Sequence, residues 1–160
     1  MLLHLVRHAD AGDPETWSGP DAARPLSEKG RAQAERLGAF LAEHGFRTDA
    51  LITSPKLRAA QTAEIVAGHL GGVVVIDERL GGPMDLAVLD TILKKAGDPE
   101  RPTLFGHDPD FSEFVADLCT APTISMRKGA FAKIEVDRPL QAGGGTLRWL
   151  ISPDAIRPKR

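Results

Sequence analysis

LHLVRHADAG, residues 3–12, opens on an apolar run, sets an arginine beside a histidine, and then turns small and acidic. A short continuous apolar run, rather than an alternating one, describes a strand buried on both faces. Leu2 to Val6 is therefore read as such a strand, with Arg7 and His8 at its carboxyl end. Strands of this kind sit in parallel sheets covered by helices, so the remaining sequence should alternate between strands and helices.

It does. Residues 9–25 form a loop rich in Gly, Pro and Asp, and Ser27 is a suitable N-cap for a helix running to about His44. Ala34, Leu37 and Leu41 share one face of that helix, and Gly45 stops it. Asp49 to Thr53 reads as a second buried strand, followed by a helix from Pro55 to about Leu70. The pattern repeats with a strand at 73–76, a helix at 86–96, a strand at 102–105 and a helix at 109–118. Residues 130–136 and 146–151 look like an antiparallel pair joined through QAGGG. The expected fold is α/β: a three-layer α/β/α sandwich with a mostly parallel central sheet and a C-terminal antiparallel pair. One domain should span residues 1–153, with 154–160 as a mobile tail.

Composition fits that picture. A chain of 160 residues with 42% apolar and 26% charged content matches an ordinary globular domain. No apolar run approaches the roughly 20 residues needed to cross a bilayer, and no secretory signal is visible. The expectation is a cytoplasmic protein that does not bind membranes. A formal charge of -2 argues against nucleic-acid binding driven by bulk electrostatics. Cys119 is the single cysteine, so no internal disulfide can form, and its setting in FVADLCTAP suits a small buried helix residue.

In parallel sheets the ligand crevice lies outside the carboxyl ends of the strands. Three of those ends carry related chemistry: Arg7-His8, then TSPKLR with Arg58, then LFGHDPDF with His107. Ser54-Pro55 and Asp108-Pro109 both read as an N-cap followed by proline at the first helical position. Each would aim a helix N-terminus, with its unpaired amides and partial positive charge, at the crevice. Two arginines and two histidines converging there are unfavourable unless an anion completes the cluster.

LVRHADAG resembles the Arg-His-Gly signature of the histidine phosphatase superfamily, with Ala9 in place of the usual glycine. SPKLRAAQTAEIV is similar to the family's second-arginine segment, and LFGHDPDF to its second-histidine segment. The order RPLSEKGRAQA, SPKLRAAQT, GHDPDF resembles the small SixA-type phosphohistidine phosphatases in particular. The resemblance implies that His8 is the nucleophile accepting the phosphoryl group, while Arg7, Arg58 and His107 bind its oxygens. It also implies that no metal or other cofactor is required. Imidazole chemistry agrees with this, since a histidine near pKa 6.5 is substantially neutral and nucleophilic at pH 7. Arginine forks match phosphate oxygens and remain charged.

Larger family members carry an acidic residue between the second arginine and the second histidine that protonates the leaving group. Here Asp85 is the candidate, although it also suits an N-cap for the helix that follows. Asp10, Asp13 and Asp108 lie near the site in sequence and suit turns or caps. His4 reads as a packed core histidine, His44 and His69 as helix-end residues, and Arg24 and Lys128 as solvated loop cations. The span from Arg58 to His107 must hold two helices and a strand, leaving little for a lid. A weak acid and an open pocket favour a phosphohistidine-containing protein as substrate. The alternatives are a small phosphoester substrate, or a non-catalytic phosphate-binding or interaction module.

Overall fold

The computed structural model describes residues 1–158 and contains a six-stranded sheet in the order β3-β2-β4-β1-β5-β6. The strands are β1 (Leu2–Arg7), β2 (Ala50–Thr53), β3 (Val74–Ile76), β4 (Pro102–Gly106), β5 (Phe131–Val136) and β6 (Gly145–Ile151). The helices are α1 (Glu28–Glu43), α2 (Leu57–Leu70), α3 (Leu86–Lys95) and α4 (Asp110–Cys119). The first four strands are mutually parallel, whereas β5 runs antiparallel to both β1 and β6.

Successive side chains of each central strand leave the sheet on opposite faces. Leu3, Leu5, Ile52 and Leu104 pack with Leu89 and Leu93 of α3 and Phe111, Val115 and Leu118 of α4. Val6, Leu51 and Phe105 pack on the other face with Leu37 and Leu41 of α1 and Ala63 and Val66 of α2. The sandwich is thus the α/β architecture expected. His4 lies on the α1/α2 face, 1% exposed, with its ring against Phe46 and Phe131 and Nδ1 3.3 Å from Thr103 Oγ1. It is a packed core histidine.

Two local expectations are corrected. α2 begins at Leu57 rather than at Pro55, because the Ser54 hydroxyl accepts from the Lys56 amide and holds Pro55-Lys56 in a turn. α4 begins at Asp110, with Pro109 as its N-cap residue. The Asp108 carboxylate reaches one turn further, accepting from the Ser112 amide at 3.0 Å and the Ser112 hydroxyl at 2.6 Å. Ser27 caps α1 as expected, accepting from Gly30 N. Gly30 is required for close approach: a Cβ there would stand 1.9 Å from the Asp10 carbonyl oxygen, so α1 can lie against the loop that follows β1.

A 3-10 turn, Pro153–Ala155, leads into the segment 154–160, of which Ile156 is buried against the α1/α2 core. Residues 159 and 160, also assigned to that tail, lie outside the described residues.

Candidate active site

Strand register gathers the site. Arg7 pairs with Gly106 across β1 and β4, and the His8 amide donates to Gly106 O at 2.9 Å. Thr53 pairs with Phe105 across β2 and β4, and the Ser54 amide donates to Phe105 O at 3.0 Å. The residues just past three adjacent strand ends, His8, Ser54 and His107, therefore stand level. The rings of His8 and His107 lie 5.3 Å apart between centroids.

His8 is 7% exposed, and its Nδ1 lies 2.7 Å from the Ala9 carbonyl oxygen. A carbonyl only accepts, so Nδ1 carries the ring proton and Nε2 keeps its lone pair. Burial, with Arg58 and Arg7 nearby, lowers the His8 pKa to about 4. The ring is neutral at pH 7, as a nucleophile must be. Burial likewise lowers His107 to about 3, helped by His8, Lys56 and Arg58.

The Ser54 side chain, which sequence reasoning treated only as a cap, lies 2.7 Å from His107 Nε2. Its oxygen accepts from the Lys56 amide, and in the tautomer where the hydroxyl donates to Nε2 the His107 ring proton sits on Nδ1. That Nδ1 is buried with no hydrogen-bond partner.

Arg7 donates from Nη1 to the Met126 carbonyl at 2.7 Å and has Asp108 Oδ2 at 3.6 Å. The loop carrying Met126 is held to the strand end by the Gly129 amide, which donates to the carbonyls of Arg7 and His8. Arg58 donates from Nη1 to Asp21 O and from Nη2 to Asp21 Oδ2, both at 3.0 Å. The other Asp21 oxygen receives the guanidinium of Arg24. Arg24 is not the solvated loop cation expected. It is 8% exposed and also donates to the carbonyls of Ala11 and Gly12, which ties down the loop after β1. Thr62 of α2 completes the frame by accepting from the Ala9 amide and donating to Arg58 O.

These partners occupy part of each arginine and leave Nε of both Arg7 and Arg58 buried without a partner. Unsatisfied buried donors are costly and uncommon in folded proteins. Two of them, on Arg7 and Arg58, belong to the residues gathered around a neutral His8, and His107 Nδ1 becomes a third in the tautomer that carries its proton there. An anion with several acceptor oxygens would satisfy all three.

The remaining candidates have local roles. Asp85 is exposed and caps α3, its Oδ1 accepting from the Val88 amide at 2.8 Å. Asp10 bonds Ser27 Oγ and the Gly12 amide, and lies 3.6 Å from Lys128. Asp13 caps a 3-10 turn. His44 caps α1 through Phe40 O, and His69 pairs with Glu35 at 2.6 Å. Cys119 ends α4, and burial raises its thiol pKa, which disfavours a thiolate. Among the described residues no group of three or more His, Cys, Asp or Glu is assembled as a metal site. No described helix is long and apolar enough to cross a membrane.

A model of the histidine phosphatase superfamily (branch 1) matches residues 3–85. Phosphohistidine phosphatase SixA of Escherichia coli (strain K12) is 26% identical over 158 residues, covering 96% of this chain and 94% of that protein. The 8-oxo-(d)GTP phosphatase of Mycolicibacterium smegmatis is 34% identical over 104 residues, 62% of this chain and 32% of that protein. A solved structure of the protein histidine phosphatase SixA complexed with tungstate superposes with a TM-score of 0.84 at 25% identity. It covers 98% of this chain and 100% of that one.

Proposed function

Since the chain belongs to the histidine phosphatase superfamily (branch 1), we propose that it is a phosphohistidine phosphatase acting on a phosphorylated protein through a covalent phosphohistidine intermediate. One observation carries this reading: the partnerless buried nitrogens of Arg7, Arg58 and His107 around an imidazole whose Nε2 lone pair is free.

In the proposed reaction the phosphoryl oxygens take up Arg7 Nε, Arg58 Nε and His107 Nδ1. His8 Nε2 attacks phosphorus in line with the substrate P–N bond. As the new N–P bond forms, the old bond breaks and its electron pair returns to the substrate imidazole. That ring, protonated on its other nitrogen, leaves neutral. Water then attacks phospho-His8, giving inorganic phosphate and restoring the His8 lone pair. The arginines stabilise charge on the transferring group, whose transition state has little covalent demand beyond positioning.

A protonated phosphoimidazole is a good leaving group and needs little help from an enzymatic acid, whereas an alkoxide needs one. The capping of α3 by Asp85 fits the first case better. Likeness to SixA along nearly the whole of both chains supports the same choice. The partial likeness to an 8-oxo-(d)GTP phosphatase favours a second reading, a small-molecule phosphomonoesterase of the same fold. A non-catalytic phosphate-binding module fits less well, because all four pocket residues are present and His8 holds the nucleophilic tautomer. The free Cys119 suits a reducing, cytoplasmic setting.

The test is phosphate release from a phosphohistidine protein, free phosphohistidine and phosphomonoesters under the same conditions. We expect kcat/KM at least about tenfold higher on the protein, roughly 1.4 kcal/mol of transition-state discrimination. A higher value on a nucleotide or sugar phosphate overturns the reading in favour of the second. Labelled substrate should leave an acid-labile label on the parent and none on His8→Ala. Chelators should leave the activity unchanged, and loss restored by a metal would remove the metal-free assignment.

A further inference from the structure

Besides the three nitrogens of the candidate pocket and an atom pair inside the Arg138–Asp90 salt bridge, one buried side-chain nitrogen lacks a partner among the described residues: Arg36 Nε. Arg36 lies on α1 and lines a cleft of about 550 Å³ whose other cations are Arg7, Lys29, Arg127 and Lys128. Arg7 also belongs to the candidate phosphoryl site, so the cleft lies beside that site with Arg7 in common.

Charge in the cleft is not balanced locally. Its carboxylates are Asp10 and Asp154, and Asp10 is already engaged by Ser27, Gly12 and Lys128. Lys29, Arg36 and Arg127 take part in none of the described ion pairs. The whole chain has a formal charge of -2, so this concentration of positive charge is local to one face. Lys29 and Arg36 are seven residues apart on α1, which is two turns or about 10 Å along the helix. Arg127 approaches from the loop before β5 and is exposed, as is Lys29. Cations spread over that distance with an exposed rim match a surface bearing several carboxylates better than one compact anion.

Building on the phosphohistidine reading above, we propose that the cleft lined by Lys29, Arg36, Arg127 and Lys128 docks Asp and Glu side chains flanking the phosphohistidine of the substrate protein. Docked carboxylates would neutralise the cleft while the phosphoimidazole enters beside Arg7.

The experiment uses two synthetic phosphohistidine peptides, one flanked by glutamates and one by glutamines, with the parent chain and with Arg36→Glu/Arg127→Glu. The parent should show a KM about tenfold lower for the glutamate peptide, a preference that fades as ionic strength rises. In the double variant the preference should vanish, with kcat/KM on the glutamine peptide unchanged, which also shows that the variant is folded. Equal KM values for both peptides in the parent would overturn the docking site while leaving the phosphohistidine reading intact. Failure of the parent to hydrolyse either peptide, with phosphomonoesters still turned over, would overturn that reading and the docking site with it. A preference that survives in the double variant would place the docking surface elsewhere.

Discussion

Ser54 and His107, 53 residues apart in sequence, are joined at 2.7 Å between Oγ and Nε2. A hydroxyl donating to Nε2 favours the His107 tautomer that carries its proton on the partnerless Nδ1. Ser54→Ala removes that preference. Its kcat/KM should fall by up to about tenfold, the value of one ordinary hydrogen bond. An unchanged kcat/KM, with His107 still required, would show that the tautomer is set by something else.

The acid behaviour of the two pocket histidines follows from their burial. His8 is lowered to about 4 and His107 to about 3, so both rings should keep neutral-imidazole NMR shifts down to about pH 5. Titration of His8 near its ordinary value of 6.5 would remove the account given for its nucleophilicity.

The same shifts, with His4 at about 3, tie stability to pH. In the unfolded chain these histidines take up protons near 6.5, whereas in the folded protein they resist until pH 4 to 3. Between those values the unfolded state binds more protons, so stability rises with pH there. The contribution is full above 6.5 and is lost as pH falls through 4 to about 3. Urea midpoints should therefore drop between pH 7 and pH 5, and His4→Leu should flatten the slope. A midpoint constant over that range would contradict the burial argument.

The strand ends bearing Arg7, His8 and His107 were legible because short apolar runs report buried parallel strands wherever they occur. Arg58 was legible from the helix that follows such a strand, and it is the second residue of α2. Other contacts depend on information that is not local. The Ser54–His107 contact depends on Thr53 lying opposite Phe105, a register set by packing across the sheet. Burial of Arg24 and its link through Asp21 to Arg58 depend on the path of the 9–25 loop. That path has no periodicity to read, and what closes it is Arg24 donating to the Ala11 and Gly12 carbonyls. The α2 and α4 starts differ from the reading because Ser54 closes a turn on the Lys56 amide ahead of α2, while Asp108 reaches past the usual cap amides to Ser112.

Asp21 holds the Nη1/Nη2 edge of Arg58, whose Nε is buried without a partner, and this makes it the candidate positioning residue for that guanidinium. Asp21→Ala should lower kcat/KM by about tenfold through misplacement of the guanidinium. Asp21→Asn, which can still accept from Nη2, should recover part of the loss. Thermal protection by vanadate should weaken in the same order, and it should be nearly absent in Arg58→Ala. Full vanadate protection in Arg58→Ala would place that arginine outside the anion pocket.

Asp85 separates the two substrate readings. Its carboxylate accepts from the Val88 amide at the start of α3, and its side chain is exposed. Loss of an N-cap aspartate costs about 1 kcal/mol of stability and leaves distant chemistry alone. Asp85→Ala should therefore lower the unfolding midpoint while reducing phosphohistidine and phosphomonoester hydrolysis equally, if at all. A general acid would behave differently. Removing it would slow phosphomonoesters, which expel an alkoxide, by about a hundredfold or more and spare the phosphohistidine protein. That selective loss would assign Asp85 to proton transfer. It would also show a site equipped for esters, so the small-molecule reading would then account for the chain better than the one proposed.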